Sequence, residues 1–290
     1  MAKFIVSAFA DEASGGILHQ IEACKKNNIT HIELRGLGDG KSINSTTPDE
    51  AQDLKKILDG AGIGVSAIGS GYGKIKVTDD FEPHFEAFKN TVEVACVLGT
   101  KNIRMFSFYF TDIENYADCK DEAFRRVEAL CDYSLKSGIK CCHENERGIY
   151  GDIPERCLEL HQALGSKLGG VFDPANYILD GVEILPAYDM LAEYIDYMHV
   201  KDARFSDRAI TPAGMGDANF AELLKRFAQK DGERFLTIEP HLKVFEGLKE
   251  LEADGGTASQ LENRRDFSYA TRDDSFKAAA DALHTLLLNL

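Results

Sequence analysis

Leu168-Gly169-Gly170-Val171-Phe172-Asp173 is a short apolar stretch that ends on a carboxylate. Three further apolar stretches in the second half of the chain also end on a residue that can bind a metal: Cys141-Cys142-His143-Glu144, Tyr197-Met198-His199 and Leu236-Thr237-Ile238-Glu239. A strand that buries its apolar residues has no reason to end repeatedly on such a group unless the ends converge on something charged. The simplest such object is a divalent cation.

The size of the chain indicates one domain. Its 290 residues match the usual size of a single (β/α)8 barrel, so we expect one domain over residues 1–290. Hydrophobic residues make up 44% of the chain, which is enough for a sizeable core. The seven cysteines include no C-x-x-C pair, and we expect them to be small buried apolar residues in a reducing compartment.

The charge of the chain disfavours nucleic acid as a partner. A formal net charge of -15 repels a phosphate backbone, and no run of basic residues offsets it. The apolar stretch at residues 4–6 is too short for a signal peptide, and no segment approaches the ~20 apolar residues of a membrane span. We therefore expect a cytoplasmic protein without a membrane partner, and the sequence leaves open whether it forms a homo-oligomer.

Short β-rich runs alternate along the chain with segments of helical period. The predicted strands cover residues 4–9, 29–34, 65–68, 102–106, 139–144, 168–173, 195–201 and 235–239. Helices are predicted from Ile17 and from Thr47, and then over residues 81–98, 121–137, 154–164, 220–230 and 275–290. This rhythm predicts an α/β fold, a closed TIM barrel, because parallel strands need crossover helices and closure removes both sheet edges.

Two segments bear on the alternatives to a plain barrel. A doubly wound open sheet normally carries a glycine-rich phosphate loop after its first strand, where this chain has Ala8-Phe9-Ala10-Asp11-Glu12. The polar segment 243–274, between strand eight and the last helix, is long for a connection. We predict that it is a lid over the catalytic face, and a subunit contact is the alternative.

Four residues are the candidate metal ligands, because the strands of a parallel barrel all open on one face at their carboxyl ends. Side-chain alternation lets each of them point inward above smaller or apolar residues of its own strand: Glu144, Asp173, His199 and Glu239. Such oxygen-rich sites suit hard or borderline ions, namely Mn²⁺, Mg²⁺, Co²⁺ or Zn²⁺. The competing interpretation is that the four are separate, water-facing strand ends, and Glu146 is an alternative to Glu144.

The chain resembles the xylose isomerase-like TIM barrels, a superfamily of sugar isomerases, epimerases and related lyases, and in particular bacterial members labelled sugar phosphate isomerase/epimerase. The resemblance is carried by stretches spread over most of the sequence: Arg104-Met105-Phe106-Ser107-Phe108, His143-Glu144-Asn145-Glu146, Phe172-Asp173-Pro174-Ala175-Asn176, His199-Val200-Lys201-Asp202, Pro212-Ala213-Gly214-Met215-Gly216-Asp217 and Ile238-Glu239-Pro240-His241-Leu242. These motifs are specific to the superfamily and are shared by several of its reactions.

The resemblance implies a role for each candidate ligand. It implies that Glu144, Asp173, His199 and Glu239 bind one divalent ion, and that Glu144 and Glu239 also exchange the substrate proton. This chemistry is reasonable, because a cation chelating a carbonyl and its neighbouring hydroxyl stabilises an enediolate. Many relatives carry a histidine where this chain has Asn176, which can bind a hydroxyl but cannot act as an acid or base near neutral pH.

Other polar residues are candidates for substrate contacts. Lys201 would polarise a carbonyl or hold a phosphate, and a salt bridge to Asp202 or a neighbour is the alternative. His241 shares the inward face of Glu239. Arg104 would contact substrate or form a buried ion pair, and Glu33 and Arg35 on strand two are further candidates. His143 is expected to point outward as a structural residue, and Gly214-Met215-Gly216-Asp217 is either a tight turn or a phosphate cradle.

These features predict a divalent-metal-dependent isomerase or epimerase of a ketose, inosose or sugar phosphate. A dehydratase or other lyase on a similar polyol ketone is the enzymatic alternative, because it begins with the same proton removal. A non-catalytic sugar-binding barrel is the alternative outside enzymes. The DNA-repair endonuclease of the same superfamily needs extra histidines at the ends of strands two to four, where Gly69-Ser70 and Phe106-Ser107 stand instead.

Overall fold

The computed structural model describes residues 1–110, 116–246, 248, 258, 261 and 266–290. Eight parallel strands pair in chain order and close into one barrel, so the predicted TIM barrel is confirmed. The strands are β1 (Lys3–Ala8), β2 (His31–Leu34), β3 (Gly64–Gly69), β4 (Asn102–Met105), β5 (Lys140–Glu144), β6 (Leu168–Phe172), β7 (Ile195–Val200) and β8 (Glu233–Ile238). Their bounds agree with the predicted strands to within about two residues.

Helices surround the barrel. Those in the described parts of the chain are α1 (Ile17–Lys26), α2 (Pro48–Ala61), α3 (Phe81–Leu98), α4 (Tyr116–Leu135), α5 (Pro154–Leu164), α6 (Pro174–Leu179), α7 (Ile184–Leu191), α8 (Phe220–Phe227) and α9 (Arg272–Leu288). The sequence analysis assigned no helix between β6 and β7, where the structure has α6 and α7. Both are short, and Pro174 and Pro186 interrupt the helical pattern there.

Capping residues and C-terminal glycines determine where α2 and α3 begin and end. Thr47 and Glu50 form a capping box at the start of α2, and Gly62 ends that helix in the left-handed conformation with φ of 72°. Asp80 caps α3, and Gly99 ends it in the same way as Gly62 ends α2. Helix α3 consequently begins and ends where the sequence predicted.

The barrel interior holds its own apolar cluster, separate from the main core that includes the apolar faces of the outer helices. Ala67, Cys142, Val171 and Tyr197 form this cluster, and Phe235 packs against it. Four of these five residues share the strand parity of the candidate ligands, as the alternation predicted. The candidate ligands therefore lie above this apolar cluster, on the same inward face of their strands.

The loop after β7 is organised by one buried carboxylate. Asp202 accepts backbone N–H groups at 2.8 Å from Ala203, 2.8 Å from Gly214, 3.0 Å from Gly216 and 3.0 Å from Ala218. The motif at residues 214–217 therefore binds a carboxylate of its own chain, and the phosphate cradle considered from the sequence is wrong. Asp202 accepts from these four donors and forms no ion pair with Lys201, whose ammonium group instead forms the predicted salt bridge with neighbouring carboxylates, those of Asp173 and Glu239.

Three other expectations concern single features. Half of the segment 243–274, predicted to be a lid, lies outside the described residues, and α9 begins three residues before the predicted position 275. None of the seven cysteines, all of which lie in the described residues, forms a disulfide, and six are buried, whereas Cys96 is exposed. Among the described helices none combines the length and the apolar character that a membrane crossing requires.

Replacing Asp202 tests its role in the β7 loop. We expect Asp202→Asn to lower the free energy of unfolding by about 2–4 kcal/mol, because the amide turns an NH₂ group toward backbone N–H donors. Urea denaturation followed by circular dichroism measures the change. The control is Asp207→Asn, whose carboxylate is half-exposed beside Arg204 and should contribute at most about 1 kcal/mol. Equal stability of the two variants would contradict this role.

Candidate metal centre

The four candidate ligands converge at the carboxyl ends of four neighbouring strands. Glu144 is the last residue of β5, Asp173 follows β6, His199 lies near the end of β7, and Glu239 follows β8. One donor atom from each residue lies within 4.8 Å of the donor atoms of the other three, and all four residues are buried. We call these four residues the acidic cluster. The barrel has thus brought together side chains up to 95 positions apart in sequence, since Glu144 and Glu239 are its outermost members.

The imidazole of His199 is fixed from both sides. Its Nδ1 lies 2.8 Å from Oε1 of Glu144 and 3.3 Å from Oε2 of Glu239. Its Nε2 lies 3.3 Å from Oε2 of Glu33, which also accepts the hydroxyl of Tyr197 on its other oxygen at 3.1 Å. A carboxylate behind a histidine fixes the ring orientation and tautomer, which leaves Nδ1 as the nitrogen that faces the acidic cluster.

Lys201 is the cation of the acidic cluster. Its Nζ lies 2.7 Å from Oδ2 of Asp173 and 3.2 Å from Oε2 of Glu239. Burial lowers the pKa of Lys201, but the two carboxylates outweigh burial and raise it above its usual value, so the side chain stays charged. Lys201 therefore compensates part of the negative charge that the barrel concentrates at this point.

The carboxylates of the acidic cluster differ in their proton affinity. Burial opposes the ionisation of Glu144, but His199 and Arg104 lower its pKa to about 2. Burial also opposes the ionisation of Glu239, and Lys201 together with His241 holds the pKa of that residue well below its usual range. Burial raises the pKa of Asp173 to about 7 despite the nearby Lys201. Glu144 and Glu239 are therefore ionised at neutral pH.

The residues present fit a divalent cation. Three carboxylates and one imidazole nitrogen are donors that hard and borderline ions prefer. Oδ2 of Asp173 is buried without a hydrogen bond, and the ammonium group of Lys201 at 2.7 Å compensates its charge. The fit to a divalent cation therefore rests on the chemistry of the four donors and on their convergence within 4.8 Å.

Asn176 and Asn145 hold the backbone at the end of β6. Asn145 donates to the carbonyl oxygen of Asp173 and accepts its N–H, both at 2.9 Å. The N–H of Asn176 donates to Oδ1 of Asp173 at 3.1 Å, and its side-chain amide donates to the carbonyl oxygen of Asn145 at 2.9 Å. The amide nitrogen expected to contact substrate therefore bonds the main chain next to the acidic cluster.

Two other polar residues are placed by ion pairs. Glu146, the alternative ligand, points away from the acidic cluster to Lys74, with Oε2 2.8 Å from Nζ. Nε of Arg104 lies 3.3 Å from Oε2 of Glu144, and Nη1 donates to the carbonyl oxygen of Ser70 at 2.9 Å. Arg104 is consequently a buried ion-pair partner of Glu144, one of the two placements that the sequence left open.

A second acidic group adjoins the cluster on the side of β1. Glu12, Glu239 and His241 place one donor atom each within 4.8 Å of one another. Arg35 compensates part of the negative charge of this group, because its guanidinium lies 3.1 Å from Oε1 of Glu12 and 3.1 Å from Oε1 of Glu239. Asp11 holds the same guanidinium through two hydrogen bonds at 2.9 and 3.1 Å.

His241 occupies an unusual backbone conformation in this second group. Its φ of 43° lies in the left-handed region, which non-glycine residues adopt at an energetic cost. Its ring stacks on Phe245, and Nε2 is buried without a hydrogen bond, 3.6 Å from Glu12 and 3.6 Å from Glu239. The imidazole is thus held beside Glu239 with one nitrogen available to a ligand.

The other histidine next to the acidic cluster has a structural role. His143 points away from the barrel interior, lies 2.9 Å from Oγ of Ser107 and packs against His161, as predicted. Burial lowers its pKa to about 3, so it is neutral. Its neighbour Glu144 points inward, which agrees with the alternation along β5.

A cavity of about 310 Å³ opens beside the acidic cluster on the β1 to β4 side of the barrel mouth. Arg35 and Arg104 line it, and each of them also contacts one glutamate of the cluster. The cavity and the acidic cluster therefore share a wall made of two guanidinium groups.

The sequence analysis overlooked the role of Asp11 and Glu12. In the sequence these two residues served only to show that no glycine-rich phosphate loop follows strand one. In the structure they hold Arg35 and His241 beside Glu239. A signal was present, because both carboxylates lie three and four positions after the end of β1, at the same end of the barrel as Asp173 and Glu239. Glu33 was named as a substrate contact, but it lies below the acidic cluster against His199.

Three solved structures share this fold over nearly the full length of both chains. The probable 3-DHS dehydratase AsbF from Bacillus anthracis has a TM-score of 0.72 at 15% identity, covering 98% of this chain and 99% of that chain. The IOLI protein, solved with a zinc atom, has a TM-score of 0.72 at 15% identity, covering 98% of each chain. D-psicose 3-epimerase from Clostridium cellulolyticum H10, solved with D-tagatose, has a TM-score of 0.72 at 12% identity, covering 99% of each chain.

These likenesses show a common fold, because the identities are too low to carry an activity from one chain to another. No functionally curated protein is similar enough in sequence to be recognised as a relative. The sequence model of one family, however, matches residues 21–262, which is most of the chain, and its description agrees with the barrel and with the strand-end motifs. The chain therefore belongs to the xylose isomerase-like TIM barrel family.

Proposed function

We propose that this protein is a divalent-metal-dependent isomerase or epimerase that moves a proton beside the carbonyl group of a carbohydrate. The observation that carries the proposal is the convergence of Glu144, Asp173, His199 and Glu239 within 4.8 Å. Solved structures with the same fold include an epimerase with a bound sugar and a protein with a zinc atom, which supports the same class of chemistry.

The four residues of the acidic cluster would hold the cation through three carboxylates and Nδ1 of His199. When bound there, such an ion supplies Lewis-acid stabilisation of the negative charge that develops on a carbonyl oxygen after proton removal. Glu33 supports this arrangement, because it orients the imidazole from the opposite side.

Glu144 and Glu239 are the proposed proton-transfer residues. They arrive from β5 and β8, with β6 and β7 between them in the barrel, so they approach a ligand from different sides. Both are ionised at neutral pH, which is the form that removes a proton. Each is also oriented by its own guanidinium, Glu144 by Arg104 and Glu239 by Arg35.

Lys201 and His241 are the proposed substrate contacts at the acidic cluster. Lys201 carries a positive charge between Asp173 and Glu239, where it would stabilise an oxygen of the substrate that gains negative charge. Nε2 of His241 is unpaired and lies beside Glu239, where it would bond a hydroxyl group of the substrate.

A metal-binding measurement tests the ligand set. After chelation and dialysis, we expect the protein to take up one Mn²⁺ per chain, and Glu144→Gln to weaken this binding at least about tenfold, because a neutral amide is a poorer ligand. Glu146→Gln is the matched control, since Glu146 lies two residues away and pairs with Lys74. Isothermal titration calorimetry measures both. Weaker binding in the control than in Glu144→Gln would transfer the ligand role to Glu146.

Solvent-deuterium exchange tests the reaction. With Mn²⁺ in D₂O, we expect a panel of ketoses and inososes to include a substrate that gains deuterium beside its carbonyl and yields an isomer. Glu239→Gln should lower kcat about 10²–10⁴-fold, because the proton then lacks its acceptor. Glu233→Gln, an exposed change at the opposite end of β8, is the control. Deuterium uptake with loss of water would identify a dehydratase, and unchanged kcat in Glu239→Gln would refute its role.

Removing the charge of Lys201 tests how the acidic cluster is balanced. We expect Lys201→Met to destabilise the metal-free protein by about 3–5 kcal/mol, because buried carboxylates then face each other without a cation. Added Mn²⁺ should raise the Tm of this variant more than that of the unaltered protein. Lys167→Met, which removes a surface ion pair with Glu128, is the control. Equal Mn²⁺-induced shifts in Tm would show that Lys201 does not share the charge of the cluster.

A further inference from the structure

The cavity on the β1 to β4 side would bind part of the substrate, an inference that rests on the proposed function. Its lining includes Arg35 and Arg104, which contact the two proposed proton-transfer glutamates, but it includes none of the four residues of the acidic cluster. A substrate held at the cluster would therefore extend past these two guanidinium groups into the cavity. The cavity receives the part of the substrate that takes no part in the chemistry.

The positive charges that line this cavity are already neutralised. Each basic side chain has a carboxylate partner: Arg35 pairs with Asp11 at 2.9 Å, Lys41 with Glu50, Lys74 with Glu146 at 2.8 Å, and Arg104 with Glu144 at 3.3 Å. A phosphate group would have to displace or share these partners and would face their negative charge. Donors and acceptors that stand side by side instead suit hydroxyl groups, which donate and accept at once.

Two backbone N–H groups in the glycine-rich loops of the cavity are also unavailable to a phosphate. Gly36 donates its N–H to Oδ2 of Asp11 at 3.0 Å, and Gly40 donates its N–H to Oε1 of Glu246 at 3.1 Å. Phosphate cradles use backbone N–H groups that point at the anion, and these two point at carboxylates of the chain. The glycines mainly leave space, because they place no side chains in the cavity.

The cavity exceeds the needs of a single sugar. Its volume is about 310 Å³. About ten waters at roughly 30 Å³ each would fill that volume. The part of a hexose beyond a chelated carbonyl and hydroxyl has only about eight non-hydrogen atoms. These atoms also take up less space than separate waters, because covalent bonds hold them closer together. Phe245 adds an apolar wall beside the polar pairs. The remaining volume admits the first atoms of a further substituent on the remote end of the substrate, and the rest of that substituent would continue toward the open mouth of the cavity.

We infer that this cavity is a subsite for an uncharged, polyhydroxylated substituent, such as a glycosyl group, carried by the carbonyl sugar at its remote end. The charge-paired lining selects hydroxyl groups over phosphate, and the glycine loops supply the volume. The substrate of this site is then a neutral glycoside of a keto sugar rather than a sugar phosphate.

Three probes that differ at one position test this inference on the Mn²⁺-loaded protein. They are fructose, fructose 6-phosphate and isomaltulose, which is fructose with a glucosyl group on the same oxygen. We expect isomaltulose to bind at least about tenfold more tightly than fructose, and fructose 6-phosphate to bind no more tightly than fructose. Isothermal titration calorimetry measures the three affinities.

Filling the cavity gives the matching variant. Gly71 lines the cavity, and its φ is outside the left-handed region. A Cβ placed on it would lie 3.8 Å from Nδ2 of Asn44, an ordinary van der Waals distance. Gly71→Leu therefore fits the backbone and occupies the cavity, and the ratio of the isomaltulose and fructose affinities should fall to about one. Gly60→Leu is the control, because Gly60 has nothing within 4 Å of its Cβ and lies outside the cavity.

The outcomes separate this inference from the proposed function. Mn²⁺ uptake together with equal affinities for fructose and isomaltulose overturns the subsite alone, and so does tighter binding of fructose 6-phosphate. Mn²⁺ uptake without binding of any of the three probes also overturns the subsite. Absence of Mn²⁺ uptake overturns the proposed function. An affinity ratio that is high in the unaltered protein and in Gly60→Leu, but lost in Gly71→Leu, supports the subsite.

Discussion

Concentrating three buried carboxylates at one point is the constraint on which the rest of this structure depends. Three carboxylates lie within a few ångströms of one another and are almost completely buried, namely those of Glu144, Asp173 and Glu239. Their mutual repulsion must therefore be compensated. Lys201 and His199 provide part of the compensation from within the cluster, and Arg35 and Arg104 provide more from its edge. This concentration of charge in a closed barrel is reasonable for a cation-binding protein, and it would be a costly arrangement for a purely structural one.

The two halves of the barrel carry different parts of the proposed site. Strands β5 to β8 carry the acidic cluster, whereas the residues after β1 and β2 hold Arg35, and β4 holds Arg104. The two guanidinium groups join the halves, because each contacts a glutamate of the cluster and also lines the cavity. Changes to the loops after β1 to β3 can therefore alter what is bound without altering the residues proposed to move the proton.

The sequence predicted the barrel and the convergence of the four strand ends, because the alternation of strands and the parity of side chains follow from local patterns. It did not predict α6 and α7, since helices of six and eight residues with prolines give only a weak periodic signal. It also left the partners of Lys201, Arg104 and Asn176 open. These partners depend on which long side chains meet across the barrel mouth. The sequence pattern contains no information about the distances between those side chains.

The carboxylate of Asp202 has a further consequence for the barrel mouth. Since four backbone N–H groups of the β7 loop converge on this side chain, the loop has a defined shape before any ligand arrives. A ligand that meets a preformed rim loses less affinity to the entropy of ordering it. The wall next to Lys201 should therefore behave as a rigid template, and induced fit would be confined to other parts of the entrance.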